Sequence, residues 1–259
     1  MIKFFRQIRY DLMEKNKTGK YLKYAIGEIV LVVIGILIAL QINNWNNAYI
    51  NTQKEKEYLS SLMEDIDTQK ITVNNQIKHE RKIRLACEKA LSLLNSKHIN
   101  TDSLNINLTT ITRKSFVIND PTFQDLKTSG NILLINNNEL RNKIISFYQY
   151  LEYSALVIHV SNETNIAEFR DLLITENVVD MNYTDSLTVA GGVDFSLKSI
   201  DIPWAKELQE TKMKDKEHLL MLLNHISQRG RTSSVHLDIM QRLEQRIENM
   251  KNDIQKHLE

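Results

Sequence analysis

The stretch from Tyr24 to Ile42, YAIGEIVLVVIGILIALQI, constrains this chain more than any other. Its central run from Ile29 to Leu40 holds no polar or charged side chain. As a helix the stretch would measure roughly 28 Å, close to the hydrocarbon thickness of a bilayer. A lone strand would leave its backbone hydrogen bonds unsatisfied in lipid. We therefore predict a single transmembrane helix at residues 24–42.

The charges on either side of this stretch predict its orientation. The first 23 residues hold seven Lys and Arg against two acidic residues, a net charge of +5, whereas the charges of residues 43–57 cancel. Positively charged flanks stay in the cytoplasm, so residues 1–23 are expected to form a cytoplasmic basic amphipathic segment and the rest of the chain to be exported. The basic residues cluster only at the membrane face, which argues against nucleic-acid binding.

A cleaved signal peptide is the alternative to a retained anchor, because it also joins a positive lead to an apolar core. The 23-residue lead is long for a signal peptide, and no A-x-A-like cleavage motif follows Leu40. Both features favour a retained anchor.

Five residues of the anchor region are candidates for function. Gly27, Gly35 and Ala39 recur at multiples of four residues, a spacing that lets two membrane helices approach closely. Glu28 is the ionisable residue nearest the hydrocarbon, although it lies within reach of the cytoplasmic headgroups. Trp45 occupies the position of an interfacial aromatic residue. No catalytic, metal-binding or cofactor-binding residue is predicted, and the expected partners are the bilayer and a protein.

Two blocks of the chain resemble a known family. Residues 17–46, KTGKYLKYAIGEIVLVVIGILIALQINNWN, resemble the N-terminal signature of uncharacterised single-span membrane proteins that are abundant in Bacteroidota. Residues 123–148, FQDLKTSGNILLINNNELRNKIISFY, resemble a second block of that family. The resemblance implies an inner-membrane anchor with a periplasmic helical domain at residues 43–259. It carries over no activity and no site residue.

Few residues interrupt helices in the exported part. With seven Gly and two Pro in 259 residues, we predict an all-α fold, a bundle of three or four long helices continuous with the anchor. The first helix should continue to about Lys97, the second should run from about Asn138 to Asn177, and the last helical region should begin at Pro203. Gly230 either splits that region or only kinks it, because one Gly costs about 1 kcal/mol in a helix.

Shorter elements are expected between the long helices. Asp102 or Ser103 can cap a short helix that extends to about residue 113. Asp120-Pro121 indicates a further helix start, with its stop at Gly130. An Asn among residues 136–138 should cap the second long helix. Residues 178–202 should form a loop with a short extended piece, because they contain Gly191-Gly192 and an alternation at Val193, Phe195 and Leu197.

Apolar residues recur at alternating steps of three and four along the long helices, the spacing of helices that pack side by side. In the first helix this seam is Leu59, Leu62, Ile66, Val73, Ile83, Cys87, Ala90 and Leu94. Gln69, Gln76 and Glu80 take other positions of the same seam, so we predict a bundle helix and not a continuous zipper. Comparable rows occupy the other two regions: Leu140, Ile144, Phe147, Leu151, Ala155 and Ile158, and Met240, Leu243, Ile247, Met250 and Ile254.

Residue types that carry chemistry do not form a recognisable constellation. Cys87 is the only cysteine, so no internal disulfide can form. His218, His225 and His236 are separated by steps of seven and eleven, whereas zinc on a helix takes ligands within one turn. The acidic run at residues 64–67 is typical of a solvated face.

Three functional hypotheses remain from the sequence. The first is a membrane-tethered interaction or scaffold protein that engages another envelope protein or a second copy, and that is not an enzyme. The second is a sensory or signalling subunit that acts through a membrane partner. The third is an ion-coupled, stator-like component that uses Glu28.

Overall fold

The computed structural model describes residues 10, 18–176, 187–188, 194–195 and 203–259. Its helices are α1 (Thr18–Leu94), α2 (Thr101–Thr110), α3 (Pro121–Thr128), α4 (Asn138–Glu163), α5 (Asn165–Thr175), α6 (Pro203–Lys212) and α7 (Lys216–Leu258), with a 3-10 helix at Asn131–Leu134. Two two-residue strands, β1 (Leu187–Thr188) and β2 (Asp194–Phe195), pair antiparallel and supply the extended piece expected in this loop. The described residues are otherwise helical or irregular, which confirms the all-α prediction.

The chain divides into two units, residues 1–57 and residues 58–259. In the first unit, the apolar side chains of α1 between Ile26 and Ile42 are exposed. An 18-residue window here reaches a mean hydropathy of 2.6 with none of its residues buried, so α1 has the length and composition of a membrane-crossing helix. Of the basic segment expected at residues 1–23, the structure describes Tyr10 and residues 18–23, and the remainder lies outside the described residues.

In the second unit, the described residues form two apolar clusters. The first joins α1, α3, α4 and α7, and its fully buried members include Leu59, Leu62, Leu126, Leu151, Met240 and Ile247. The second joins the C-terminal part of α1 to α2, α5 and the first half of α7, and includes Ile83, Ala90, Leu104, Phe169 and Ile226. The seam positions predicted for the first and last helices are buried, as their spacing requires, except for Leu94, which is half-buried.

Helices α1 and α7 pack antiparallel. Near one end of the contact, Asp67 of α1 pairs with Lys251 of α7. Further along α1, Cys87 lies against the backbone of Gly230 of α7. Residues later in α1 therefore contact residues earlier in α7, and each turn of α1 faces one particular turn of α7. The Asp67–Lys251 pair also places one member of the predicted acidic run in a surface ion pair, as expected for a solvated face.

Gln69 shows why the apolar seam of α1 is interrupted. It is 1 % exposed, and its side-chain oxygen accepts a hydrogen bond from the backbone N–H of Asn119 at 2.6 Å. Its amide nitrogen donates to the carbonyl of Val117 at 3.4 Å. The connection between α2 and α3 is irregular here and would otherwise bury unpaired backbone groups. A polar residue in the seam therefore anchors a non-helical segment of the chain.

The prediction of one unbroken helix at residues 138–177 is wrong. Thr164, with φ −105° and ψ −94°, separates α4 from α5. Hydroxyls of Ser161 and Thr164 donate back to the carbonyls of Val157 and Val160 at 2.9 and 2.8 Å, respectively. Ser and Thr compete in this way with regular helical bonding and favour bends. The expected end at Asn177 lies outside the described residues.

The last helical region breaks before Gly230, not at it. The interruption falls at residues 213–215, and α7 is continuous through Gly230. Asp215 accounts for the restart, because its side chain accepts a hydrogen bond from the N–H of Glu217 and caps α7. Sequence reasoning identified Gly230 as the candidate break and passed over this cap.

Gly230→Ala is expected to stabilise the protein by about 0.5–1 kcal/mol, because Ala is the better helix former and the site has room for one methyl group. An added Cβ would lie 3.5 Å from Cβ of Cys87, an ordinary van der Waals distance. Urea unfolding of the full chain in detergent measures the change. Gly230→Leu is the matched control and should destabilise, since its larger side chain would overlap Cys87. Loss of stability in the Ala variant would contradict the observed spacing of α1 and α7.

The caps of the shorter helices differ in part from the prediction. Asn100, and not Asp102 or Ser103, caps α2, which ends at Thr110. Asp120 precedes Pro121 as predicted but makes no capping bond. Two other expectations are confirmed. Gly130 ends the α3 region with φ 74°, a left-handed conformation suited to Gly, and Asn137 caps α4 through the N–H groups of residues 139 and 140.

Asp65 of α1 replaces the missing cap of α3. Its carboxylate accepts a hydrogen bond from the N–H of Thr122 at 2.9 Å, and its backbone carbonyl accepts one from the Asn119 side chain at 3.1 Å. A carboxylate at a helix N-terminus is favoured by the helix dipole. A second member of the acidic run at residues 64–67 therefore holds α3 against α1.

Candidate functional site

The predicted anchor residues all lie on α1 in the first unit. Gly27, Gly35, Ala39 and Trp45 are exposed, and Glu28 is half-buried. In the described part of the chain, nothing lies within 4 Å of a Cβ added at Gly27 or Gly35. Their roles in helix packing and at the membrane interface stay predictions.

Polar side chains meet in the interior of the second unit, between the two apolar clusters. On α1, Ile77 belongs to the first cluster and Ile83 to the second; on α7, Leu237 belongs to the first and Ile226 to the second. The buried polar side chains at this boundary are those of Gln76, Glu80, Arg229, Ser233 and His236, which we call the polar layer. All five are buried, with Arg229 at 1 % and His236 at 0 % exposure.

Glu80 is the centre of the polar layer. One oxygen, Oε2, lies 2.8 Å from the hydroxyl of Ser233 and accepts hydrogen bonds from the Arg229 guanidinium at 3.3 and 3.4 Å. The other, Oε1, lies 3.0 Å from Nδ1 of His236 and accepts from the Gln76 amide at 3.2 Å. Four side chains therefore converge on one carboxylate, three of them from α7.

Arg229 is the counter-charge of Glu80. Its guanidinium also donates to the carbonyl of Thr112 at 3.3 Å, which ties the segment after α2 to the same centre. Burying two charges costs free energy unless they pair and their remaining hydrogen-bonding groups are satisfied. The convergence of donors on Glu80 meets that condition for the carboxylate.

The surroundings of Glu80 favour its charged form. Burial acts to raise the pKa of Glu80, but the hydrogen bond with His236 and the positive charge of Arg229 outweigh burial, so the pKa lies below its ordinary value. Glu80 is therefore ionised near neutral pH, and Arg229 faces a full negative charge.

Three atoms of the polar layer are buried without a hydrogen-bond partner among the described residues: Oε1 of Gln76, Nε of Arg229 and Nε2 of His236. Nε2 of neighbouring His79 shares this property. Partly satisfied polar interiors are less favourable than well-packed apolar ones. The polar layer therefore contributes less to the stability of the fold than an apolar core would. This is consistent with a role in specifying which turns of α1 and α7 pack together.

The order of contacts in the polar layer differs from that of a nucleophilic triad. In a triad a hydroxyl bonds to an imidazole that a carboxylate orients, whereas the Ser233 hydroxyl contacts Glu80 itself. Cys87, two turns further along α1 from Glu80, is 1 % exposed, and burial raises its pKa to about 11. A thiol of that pKa is protonated near neutral pH and is a poor nucleophile. The arrangement suits structural pairing of helices.

Stability is expected to fall with acidification in two steps, owing to His79 and Glu80. Burial, together with nearby Arg229 and Lys114 and against the attraction of Glu80, lowers the pKa of His79 below 6.5 in the folded state. The unfolded chain therefore binds a proton first, and stability is lost as pH falls from 6.5 to the folded pKa. The lowered pKa of Glu80 gives a second loss below about 4.5.

Urea unfolding of the full chain at a series of pH values measures both steps. His79→Gln should flatten the loss below pH 6.5 and leave the lower step in place, so the stability of the variant relative to the unmodified chain should rise on acidification. Identical pH dependence of the two proteins would contradict the role of His79.

The three histidines singled out in the sequence do not converge. His236 joins the polar layer, and His218, which is buried, lies 3.4 Å from the carboxylate of Glu176. Lys212 contacts the same carboxylate at 3.0 Å, and both neighbours contribute to lowering the pKa of Glu176, with the Lys212 hydrogen bond as the main cause. His225 is half-buried. Among the described residues, no group of three or more His, Cys, Asp or Glu is placed to hold a metal ion.

Sequence reasoning found part of the polar layer and missed the rest. Sequence analysis predicts Gln76 and Glu80 as polar positions of the α1 seam, and gives His236 as one of three histidines spaced too far apart to bind one zinc ion. Arg229 and Ser233 were overlooked. The missed signal is that the repeat Met240, Leu243, Ile247 continues backwards at the same steps through residues 236, 233 and 229 to Ile226.

Comparison with known proteins identifies a family and no individual relative. No curated protein and no solved structure matches the chain. A family model described as "Family of unknown function (DUF6090)" matches residues 28–169, which include most of the apolar part of α1, the polar side chains of its seam and all of α4. This match covers more than half of the chain and agrees with the expected resemblance to an uncharacterised family. The chain belongs to the DUF6090 family.

Proposed function

We propose that this protein is a membrane-anchored scaffold whose helical domain engages another envelope protein or a second copy of itself. The observation that carries the proposal is the exposed apolar segment of α1. Its large apolar side chains are exposed, for example Ile29 at 62 % and Ile42 at 60 %. A contiguous apolar surface of this extent is unfavourable in water, and the length and composition of this helical segment suit a bilayer.

The positive lead sets the proposed orientation. With residues 1–23 in the cytoplasm and residues 24–42 in the inner membrane, residues 43–259 form a periplasmic helical bundle domain. The lone cysteine is compatible with this compartment, because a chain with one thiol forms no internal disulfide and relies on packing. The two apolar clusters supply that packing.

A non-catalytic role agrees with the chemistry of the polar layer. Glu80 is buried, at 1 % exposure, and is held by four side chains, so its charge serves the pairing of α1 with α7. The domain offers a partner a stable set of helix faces. One such face is on α4, where Tyr153, Leu156 and Val160 are exposed at steps of three and four.

In-cell photocrosslinking tests this proposal. A photoreactive residue placed at Leu156 or Val160 should trap one discrete protein neighbour in the envelope fraction, either a heterologous protein or a second copy. His159, exposed on the same helix beside this row, is the matched control position and should trap less. Failure to trap a specific neighbour from Tyr153, Leu156 and Val160 alike would overturn the interaction role of this face.

A further inference from the structure

An apolar groove of about 350 Å³ opens between the end of α2 and helix α5. Its floor is made by Leu108, Ile111, Ile166 and Leu173, which belong to or adjoin the second apolar cluster. Ile174, 58 % exposed, stands at its edge. Ligand pockets in proteins have volumes of about 300–1,000 Å³ and are lined mainly by apolar side chains with a few polar groups. This groove lies at the lower end of that range.

The charged residues that line the groove are both arginines. Arg113 and Arg170 are the titratable members of its lining, which otherwise consists of apolar residues and Thr. Arg113 pairs with Glu163 at 3.3 Å, and Arg170 lies 3.8 Å from Asp171. All four side chains of these pairs are about half exposed, and exposed ion pairs of this kind are worth little. An incoming carboxylate can therefore compete for either guanidinium.

We propose that this groove binds a free, single-chain fatty acid, with the alkyl chain on the apolar floor and the carboxylate on Arg113 and Arg170. Guanidinium groups bind carboxylates with charge-assisted hydrogen bonds, and each buried methylene adds favourable transfer free energy. The small volume suits one alkyl chain better than the two chains of a phospholipid. The site is separate from the polar layer and does not depend on the scaffold role or on the orientation of the anchor.

Photolabelling of the full chain in lipid nanodiscs tests the proposal. The probe is decanoic acid that carries a diazirine on its chain, and labelled peptides are mapped by mass spectrometry. Groove peptides, residues 108–113 and 166–174, should be labelled in a saturable way and protected by unlabelled decanoate. The apolar segment of α1 provides an internal reference, since lipid-dissolved probe labels it without saturation.

Variants separate the two parts of the site. Arg113→Gln combined with Arg170→Gln should lower groove labelling several-fold relative to α1, because two half-exposed charge pairs with the carboxylate are lost and each is worth up to about fivefold. Glu163→Gln should raise it, since it removes the competitor for Arg113. Arg84→Gln, which breaks an exposed pair with Glu88 on α1, is the matched control and should leave labelling unchanged. Circular dichroism establishes that each variant is folded.

Head-group probes decide the ligand class. Decylamine should not protect the groove, because its positive charge faces two guanidiniums. A phospholipid that carries the same photoreactive chain should label α1 but not the groove. Unsaturable groove labelling, equal protection by decylamine, equal labelling by the phospholipid, or an unchanged signal in the double Arg variant would each overturn the proposal.

Discussion

Replacing Glu80 by Leu is expected to lower the free energy of unfolding by about 3–5 kcal/mol, the range found when one member of a buried ion pair is removed. In the variant the buried Arg229 guanidinium keeps its hydrogen bond to the Thr112 carbonyl but loses its counter-charge. It also removes the acceptor that faces Ser233 and His236. Urea unfolding of the full chain in detergent, followed by far-UV circular dichroism, measures the loss.

Two further variants give this prediction its controls. Glu88→Leu, on the exposed face of the same helix, removes a surface ion pair with Arg84 and should change stability by no more than about 0.5 kcal/mol. Glu80→Leu combined with Arg229→Met and His236→Leu should recover much of the loss, because an apolar layer no longer buries an unpaired charge. Equal effects of Glu80→Leu and Glu88→Leu would contradict a central role for the polar layer.

Val33→Arg combined with Leu37→Arg is expected to release the protein from the membrane. The ten Leu, Ile and Val residues between positions 29 and 40 contribute about −3 to −6 kcal/mol to insertion on a biological scale. Two Arg at the centre of the span add about 5–7 kcal/mol, so insertion of the double variant is no longer favoured. Membrane fractionation followed by alkaline extraction measures the change.

Val33→Leu combined with Leu37→Val is the matched control and should stay in the membrane pellet after extraction. A single Arg at either position is expected to give an intermediate distribution. Retention of the double Arg variant in the extracted pellet, at the level of the control, would contradict anchoring by this segment.

The sequence allowed the helical elements to be predicted where local signals are strong. Pro121 and Gly130 delimit α3, and the Asn cap of α4 is present, because these signals act within a few residues of chain. The failures have different causes. At the break between α4 and α5, the hydroxyls of Ser161 and Thr164 bond back to carbonyls four residues earlier, and the sequence does not decide whether such back-bonding interrupts a helix. Asp65 caps α3 from 57 residues away, so this cap leaves no signature in the sequence near α3.

The sequence pattern shows which polar residues of the layer are buried, but it does not show which of them contact one another. The steps of three and four in α1 place Gln76 and Glu80 in the buried seam, and the same steps in α7 place Arg229, Ser233 and His236 there. The sequence leaves open whether a helix ends at Gly230, and a break there would divide the second pattern. Which polar residue meets which depends on the antiparallel alignment of two helices about 150 residues apart, and that alignment is a tertiary property.

The anchor residues illustrate the opposite case. Gly27, Glu28, Gly35, Ala39 and Trp45 were selected because of their positions relative to a bilayer and a partner helix. The large apolar side chains of α1 from Ile26 to Ile50 are exposed, so those roles depend on surroundings outside the chain itself. The helical structure of this segment was predictable from the sequence, whereas the environment of the helix has to be measured in membranes.

Cysteine labelling in spheroplasts tests the central claim most directly, namely that α1 holds the chain in the inner membrane with the helical domain outside. Cys87 is 1 % exposed and is unsuitable as a reporter, so it is replaced by Ala. Lys127→Cys then reports on the exposed surface of α3, and Lys15→Cys on the lead. A membrane-impermeant maleimide should label position 127 in intact spheroplasts and position 15 only after lysis. Labelling of position 15 with protection of position 127, or labelling of both only after lysis, would contradict the account.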